Sequence, residues 1–293
     1  MPTRTAVVDA DRTTIAAGRG PVPARPAPTR VAVTLLGRFE VRVDGRTIAS
    51  NLWSRRHSAA LVKLLALTPA RSLHREQVID ALWPGLAVDD AAPRLHKAAH
   101  YARRTLGHRD AVVLSAETVR LCPEDDVQVD AMRFQQLAES AVQSGGVAEA
   151  KGALAVYDGE VLPQDLYEPW VEQHRLHLGR LYVELLHQAG DWHQALAVDA
   201  ADESAHLALV QRYAERGDRA AALRQLDQLD RVMRHELGLE PSERALDLRR
   251  RVLAAAPGRS STSQDTAGST QAALNATYSR EPCCGLLGQS GDG

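Results

Sequence analysis

The sequence predicts a mainly α-helical protein, in which an α+β domain near the N-terminus precedes an all-α array of helices. Three observations indicate this architecture. Apolar residues alternate with polar ones in short runs after residue 30, three segments with a helical period follow, and from Val129 onward the helical period continues almost without interruption. A length of 293 residues allows about two domains with tails.

The first predicted elements form a small antiparallel meander. Residues 1–29 are rich in proline and show no hydrophobic period, so we expect a disordered leader there. Apolar residues alternate at 31–35 and again at 39–43, and the dipeptide Asp44-Gly45, which is typical of hairpin turns, precedes 46–48. Three short strands are therefore expected.

Three helices and a second hairpin follow the meander. The helices are predicted at about 56–67, at 72–83 and at 91–107, and each is followed by Pro or Gly. Strand-like residues at 112–121 then predict the second hairpin. This order of elements is that of a winged helix-turn-helix with an extra N-terminal sheet, so we place a DNA-binding domain of this type at 30–122.

The third predicted helix carries positive charge without an acid to cancel it. Its basic residues are Arg94, Lys97, Arg103 and Arg104, with His96 and His100 beside them. On a 3.6-residue period, apolar side chains from Leu95 to Leu106 share one face, whereas most of the basic ones share another with Tyr101. Asp89 and Asp90 are its N-cap candidates. A solvated amphipathic helix is the alternative interpretation of this pattern.

The way in which a winged helix docks on DNA indicates which residues are candidates for DNA contacts. Its third helix enters the major groove, its hairpin contacts the backbone or the minor groove, and the N-terminus of the preceding helix binds a phosphate through free amides. The candidate DNA-binding residues are His74, Arg75, Arg94, Lys97, His100, Tyr101, Arg103, Arg104, Thr118 and Arg120. The predicted partner is double-stranded DNA.

The charge distribution divides the chain into two parts. Residues 30–121 hold 15 Lys and Arg against 8 Asp and Glu, a net charge of +7, whereas 122–257 hold 14 against 24, or −10. Only the basic part suits nucleic acid. Three cysteines give no disulfide framework, and no segment has the length of a membrane span. We therefore expect a cytoplasmic protein without a membrane partner.

The sequence of the second, acidic part predicts a divergent array of helix pairs. Gly145, Gly190 and Gly217 are each followed five residues later by alanine, and small residues at this offset let paired helices approach closely. The repeat resembles tetratricopeptide helix pairs, although its copies are irregularly spaced. We predict this array at 126–257, with Ser242 capping its last helix, and a flexible tail at 258–293.

Several motifs in a fixed order carry a resemblance to a known family. They are LGRFEV at 36–41, LWP at 82–84, RRTLG at 103–107, VD at 129–130, YDG at 157–159, LP at 162–163, AHLAL at 205–209, GDRAAAL at 217–223 and ELG at 236–238. Residues 30–256 thereby resemble the antibiotic-regulatory-protein (SARP-like) family of actinomycete transcription activators. This family joins an OmpR-type winged helix to a bacterial transcriptional activator domain.

The resemblance implies a sequence-specific activator that binds direct repeats upstream of promoters. It further implies recruitment of RNA polymerase, usually to genes of antibiotic and other secondary-metabolite biosynthesis. Residue by residue, the groove-facing helix of the family falls on Arg94, Lys97, His100, Tyr101 and Arg104. Relatives usually carry Arg or another hydrogen-bond donor at the positions of His100 and Tyr101, so we expect a different base preference. Dimerisation on DNA is left open.

Two alternative functions remain open on the sequence. One is an adaptor or sensor whose helical array binds a protein or a small ligand. The other is the N-terminal part of a larger ATPase-containing regulator, because Gly288 and Gly293 have the spacing of the glycines in a phosphate-binding loop. No lysine follows, so we predict no ATP binding. We also predict no enzyme, cofactor or metal site, since the histidines are scattered and His174 with His177 has no obvious third ligand.

Overall fold

The computed structural model of the chain describes residues 28–53 and 55–254. Residues 1–27 of the predicted leader and the predicted tail at 258–293, with its two phosphate-loop glycines, lie outside the described residues. The predicted fold class is confirmed, because a mixed α+β region comes first and a helical array follows. Within the described ranges, no helix is both long and apolar enough to cross a bilayer.

The elements of the described chain are seven strands and ten helices longer than one turn. The strands are β1 (Arg30–Thr34), β2 (Glu40–Val43), β3 (Arg46–Ile48), β4 (Ser72–His74), β5 (Val112–Leu114), β6 (Thr118–Leu121) and β7 (Asp126–Val129). The helices are α1 (Arg56–Ala66), α2 (Arg75–Leu82), α3 (Val88–Leu106), α4 (Asp130–Ser144), α5 (Val147–Leu154), α6 (Pro169–Ala189), α7 (Trp192–Val198), α8 (Glu203–Glu215), α9 (Arg219–Glu236) and α10 (Glu243–Ala254).

The predicted meander is confirmed, and a fourth strand completes its sheet. Strands β1, β2 and β3 pair antiparallel, with both Asp44 and Gly45 at positive φ as a two-residue hairpin of this kind requires. Strand β7 then pairs parallel with β1, giving the order β3-β2-β1-β7. This pairing was not predicted, because strand partners almost a hundred residues apart leave no local pattern in the sequence.

The second predicted helix begins three residues later than expected. Ser72 to His74 form strand β4, which pairs antiparallel with β6, so the predicted hairpin is part of a three-stranded sheet of order β4-β6-β5. The pairing of Leu73 with Val119 satisfies backbone groups that a first helical turn would leave without partners. Helix α2 therefore starts at Arg75.

The third predicted helix begins earlier than expected and ends as predicted. Helix α3 starts at Val88, so Asp89 and Asp90 lie in its first turn, where carboxylates favour the positive end of the helix dipole, and the N-cap residue is Ala87. Gly107 ends the helix with φ of 84°, and its N–H donates to the carbonyl oxygen of Arg103 at 3.0 Å. The predicted apolar face is buried, from Leu95 to Leu106.

The alanine repeat predicted in the helical array is confirmed. Ala150, Ala195 and Ala222 are fully buried, each five residues after a glycine that ends a turn at positive φ. Neighbouring helices pack on one another at these positions, α4 on α5 and α8 on α9 among them. One break was not predicted: residues 199–202 separate α7 from α8, and the carboxylate of Asp202 caps α8 by accepting from the Ala205 N–H at 3.0 Å.

The two predicted domains share one continuous hydrophobic core, and hydrogen bonds to backbone groups join them along a line that we call the seam. The Gly37 N–H donates to the carbonyl oxygen of Glu160 at 2.8 Å, and the Leu162 N–H donates to that of Leu35 at 2.8 Å. The carboxylate of Asp130 accepts from the amides of Leu35 and Leu36 at 2.8 and 3.1 Å. Strand β7, placed by the sequence at the start of the second domain, thus belongs to the sheet of the first.

Candidate nucleic-acid interface

The exposed face of α3 is basic after its first turn. Arg94, Lys97, His100 and Arg104 are exposed, whereas the opposite face is buried in the core. Among the described residues, Arg94, Lys97 and Arg104 form no ion pair with an acidic side chain, whereas Arg234, Arg249 and Arg250 of the array each do. These cations are therefore available to phosphate or base groups.

A small pocket lies between the start of α1 and the middle of α3. It has a volume of about 250 Å³ and is lined by Arg55, His57, Ser58, Trp83, Arg94, Lys97, Ala98 and Tyr101. The Arg55 guanidinium lies 5.3 Å from the centre of the Tyr101 ring, and the His57 ring stacks on Trp83 at 5.1 Å. Through this cation–π contact, Tyr101 connects Arg55 to the basic face of α3.

Arg55 and His57 were missed by the sequence analysis. They precede or begin α1, a helix whose sequence indicates only a buried apolar stripe. Burial lowers the pKa of His57, and the charge of Arg56 lowers it further; Glu168 acts in the opposite direction, and Arg94 has the smallest lowering effect. The run of two arginines and a histidine at 55–57, where this amphipathic helix begins, was the signal that could have found them.

Arg103 has a structural contact that distinguishes it from the other basic residues of α3. Its Nε donates to the carbonyl oxygen of Val112 at 2.6 Å, so it fixes the third helix to the first strand of the hairpin. Beside it, His100 and Arg104 line a groove with 107–114 of the loop and β5. The structure thus brings α3 and the hairpin together along one groove, as the winged-helix arrangement predicts.

The two candidate residues on the hairpin, Thr118 and Arg120, differ in whether their side chains are free to contact DNA. Arg120 is exposed on β6 and forms no ion pair with another described residue. The Thr118 hydroxyl lies 2.8 Å from the Ser115 hydroxyl, which also accepts the Thr118 N–H at 2.9 Å and so closes the hairpin turn. Thr118 therefore shapes the turn, and Arg120 supplies the charge.

Several backbone amides at the N-terminus of α2, where the sequence predicts a phosphate site, already have acceptors. The Arg75 N–H donates to the carbonyl oxygen of Glu117 at 2.7 Å, and the His74 N–H donates to Oε1 of Gln77 at 3.1 Å. The Arg75 guanidinium lies 3.1 Å from Nε2 of His96, which connects α2 to α3. Because Glu76, Asp89 and Glu117 surround the same cavity, a phosphate would meet three carboxylates there.

The second domain contacts the first through ion pairs that do not use the α3 cations. Nζ of Lys63 lies 2.6 Å from Oδ2 of Asp165, with both side chains more than 80 % buried, and Arg56 pairs with Glu168 at 2.5 Å. These contacts hold the loop before α6 against α1. The exposed basic face of α3 is consequently left uncovered by the helical array.

Aromatic side chains of the array pack against one another or against its core, with one exception. The rings of Tyr157 and Tyr182 stack at 4.1 Å, and Phe134 contacts Tyr157 at 4.8 Å. Tyr167, by contrast, is 93 % exposed. His174 and His177 are neighbours on α6, and His177 pairs with Glu139 at 3.5 Å, but in the described part of the chain they belong to no group of three ligand atoms.

Comparison with known proteins agrees with this architecture. Residues 129–253 match the family model of the bacterial transcriptional activator domain. The fold is similar to that of Mycobacterium tuberculosis EmbR, whose structure was solved in complex with a low-affinity phosphopeptide. The TM-score is 0.59 at 18% identity, covering 77% of this chain and 65% of that one, so the likeness concerns the fold. No curated protein matches the sequence significantly. The family match agrees with the bacterial transcriptional activator domain that the resemblance to the antibiotic-regulatory-protein family predicts in the second part of the chain, and the likeness to EmbR agrees with the predicted fold.

Proposed function

We propose that the chain is a sequence-specific DNA-binding transcriptional activator, in which a winged helix at 30–122 binds the duplex. The observation that carries the proposal is the uncovered basic face of α3, whose Arg94, Lys97 and Arg104 have no ion-pair partner among the described residues. A helix of this kind fits the major groove of B-form DNA, where each base pair offers a distinct pattern of donors and acceptors.

The candidate residues fall into two roles under this proposal. Arg94 and Tyr101 border the pocket with Arg55 and are the groups we assign to base contacts, whereas Lys97 and Arg104 are assigned to phosphates. Arg120 on the hairpin extends the cationic surface. Loss of a base contact changes selectivity by about 1–3 kcal/mol, whereas loss of a phosphate contact weakens binding to all sequences alike.

The acidic domain at 126–257 is assigned to protein contacts. Its net negative charge opposes wrapping of DNA, and we propose RNA polymerase as its partner, in a cytoplasmic regulator. Promoters of secondary-metabolite genes are the proposed targets, on the family resemblance alone.

Salt dependence tests the proposal directly. Affinity for a random-sequence duplex, and for a duplex selected by the protein from a random library, is measured over a range of salt concentrations. The logarithm of the affinity should fall linearly with the logarithm of the salt concentration, because bound cations release counterions from the phosphates. Replacing Lys97 and Arg104 together by Ala should reduce the slope by about 2, since each phosphate contact contributes about 0.9.

The control is an exposed basic residue on the other domain. Arg133 is exposed on α4 and forms no ion pair with another described residue, so Arg133→Ala should leave the slope unchanged. An adaptor or sensor that uses only its helical array would bind neither duplex with a salt-dependent affinity. Equal slopes for the double variant and the wild type would therefore contradict the proposed interface.

A further inference from the structure

Three potential metal ligands meet at the end of α3. His108 directly follows the glycine that ends α3, Cys122 directly follows β6, and Asp125 directly precedes β7. One ligand atom from each lies within 4.8 Å of the other two. Cys122 is fully buried, whereas the side chains of His108 and Asp125 are 24% and 12% exposed, so the cluster is open to solvent on one side.

The backbone holds the three residues in place. The Cys122 N–H donates to the carbonyl oxygen of Ala111 at 2.8 Å, and the Asp125 N–H donates to that of Cys122 at 3.3 Å, which closes a turn between the two ligands. The Thr29 N–H donates to Oδ1 of Asp125 at 3.2 Å, leaving Oδ2 directed at His108. A carboxylate oriented by an outer hydrogen bond is the usual arrangement around a metal ligand.

The separations of the ligand atoms fit a tetrahedral cation. With bond lengths of about 2.3 Å to sulfur, about 2.0 Å to nitrogen and about 2.1 Å to oxygen, tetrahedral Zn²⁺ places its N and O ligands about 3.4 Å apart and its S and N ligands about 3.5 Å apart. Here Nε2 of His108 lies 3.4 Å from Oδ2 of Asp125 and 4.0 Å from Sγ of Cys122. A shift of a few tenths of an ångström would complete the geometry.

The arrangement differs from that of a catalytic triad. In a triad the nucleophile and the acid use opposite nitrogens of the imidazole, whereas both Cys122 and Asp125 face Nε2 of His108. A single ring nitrogen cannot serve two acidic partners at once, but all three groups can bind one cation placed between them. Among the described residues, Arg71 is the charged group besides Asp125 that acts on the Cys122 thiol, and its effect is weaker than those of burial and of Asp125.

We propose that His108, Cys122 and Asp125 bind a divalent zinc ion, with a water molecule as fourth ligand. Thiolate, imidazole and carboxylate together are the donor set that Zn²⁺ prefers over harder cations. The bound ion would join the C-terminus of α3 to the turn that leads into β7. It would thereby fasten the basic helix to the strand that connects the two domains.

The test uses Co²⁺ as a spectroscopic substitute for Zn²⁺ in the full chain. Cys283 and Cys284 are adjacent in the C-terminal tail and could themselves bind metal, so both are first replaced by Ser to give a parent chain in which Cys122 is the only thiol. This parent should bind one Co²⁺ with a thiolate-to-cobalt charge-transfer band, and one equivalent of Zn²⁺ should abolish the band. Zinc should also raise the Tm of the parent.

Three variants of the parent assign the ligands. Cys122→Ser should remove the charge-transfer band, and His108→Gln and Asp125→Asn should each weaken Co²⁺ binding at least as much as the ~10-fold to ~100-fold expected for loss of an outer-shell partner. Circular dichroism checks that each variant is folded. If Cys122→Ser does not fold, the variants of His108 and Asp125, whose side chains are partly exposed, decide the assignment. The matched control is His177→Gln, a substitution of a half-exposed histidine on α6, and it should bind Co²⁺ as the parent does.

Two results would overturn the assignment. One is a parent chain that binds no Co²⁺ or binds it without a thiolate band. The other is an unchanged affinity in both His108→Gln and Asp125→Asn. Neither result bears on the salt dependence of DNA binding, so failure of the metal site and failure of the proposed function are distinguishable.

Discussion

Removal of the Asp130 carboxylate should destabilise the whole described chain, because this side chain fastens the N-terminal sheet to the helical array. In Asp130→Ala, the amides of Leu35 and Leu36 lose their acceptor, and both residues are fully buried. An unsatisfied buried amide costs about 1–3 kcal/mol, so two of them cost about 2–6 kcal/mol.

Relief of carboxylate burial offsets part of that cost. Burial raises the pKa of Asp130 above the usual 3.8, against the opposing effect of its backbone hydrogen bonds, which shows that the charged form is held at some expense. We therefore expect a net loss of about 2–4 kcal/mol in the free energy of unfolding. In a chain of this size, the Tm should fall by about 4–16 °C.

Urea unfolding and a thermal melt of the wild type and variant measure this loss. Asp126→Ala is the matched control, because Asp126 is an exposed acid at the start of β7 and its change should stay within about 0.5 kcal/mol. A loss in Asp130→Ala no larger than in the control would refute the idea that the carboxylate holds the two parts together. The raised pKa also predicts a pH dependence. The contribution of Asp130 to the free energy of unfolding should decrease as the pH rises above 3.8, because the folded chain binds this proton more tightly than the unfolded chain does.

Three further predictions follow from single contacts. His57→Gln should abolish a rise in DNA affinity as pH falls from about 7.5 to about 6, since a phosphate would raise the pKa that burial lowers in the free protein; an unchanged pH profile would exclude His57 from the interface. Arg103→Ala should lower the free energy of unfolding by about 1–3 kcal/mol in urea, through loss of the bond to Val112, and should weaken binding to selected and random duplexes equally. Ala195→Leu should destabilise the array by about 1–3 kcal/mol through overpacking, whereas Ala214→Leu, at an exposed site on α8, should not; equal melting temperatures would argue against close packing at the repeat.

The parts of the fold that depend on local sequence were predictable. Asp44-Gly45 specifies its hairpin because both positions need positive φ, and the glycine-to-alanine offset of the array specifies where paired helices touch. The end of α3 at Gly107 belongs to the same class, since an αL residue there closes the helix whatever surrounds it.

The parts that depend on distant partners were not predictable. Strand β7 is defined by its pairing with β1, and β4 by its pairing with β6, and neither short segment carries a pattern of its own. The same holds for the site. Arg55 joins the basic face only because Tyr101 faces α1, and the ligand cluster joins His108 to a cysteine fourteen residues away, a spacing that matches no regular metal motif.

The seam between the domains bears on how the proposed activator would act. A DNA-binding helix on a flexible linker could turn freely while its effector domain contacts a partner. Here β7 is a strand of the N-terminal sheet and also leads directly into α4, and the ion pair of Lys63 with Asp165 adds a contact from α1. Reorienting α3 against the array would require breaking the β1–β7 pairing and the hydrogen bonds of Asp130 together. Under the proposed function, the direction of the duplex therefore fixes which face of the acidic array meets the polymerase.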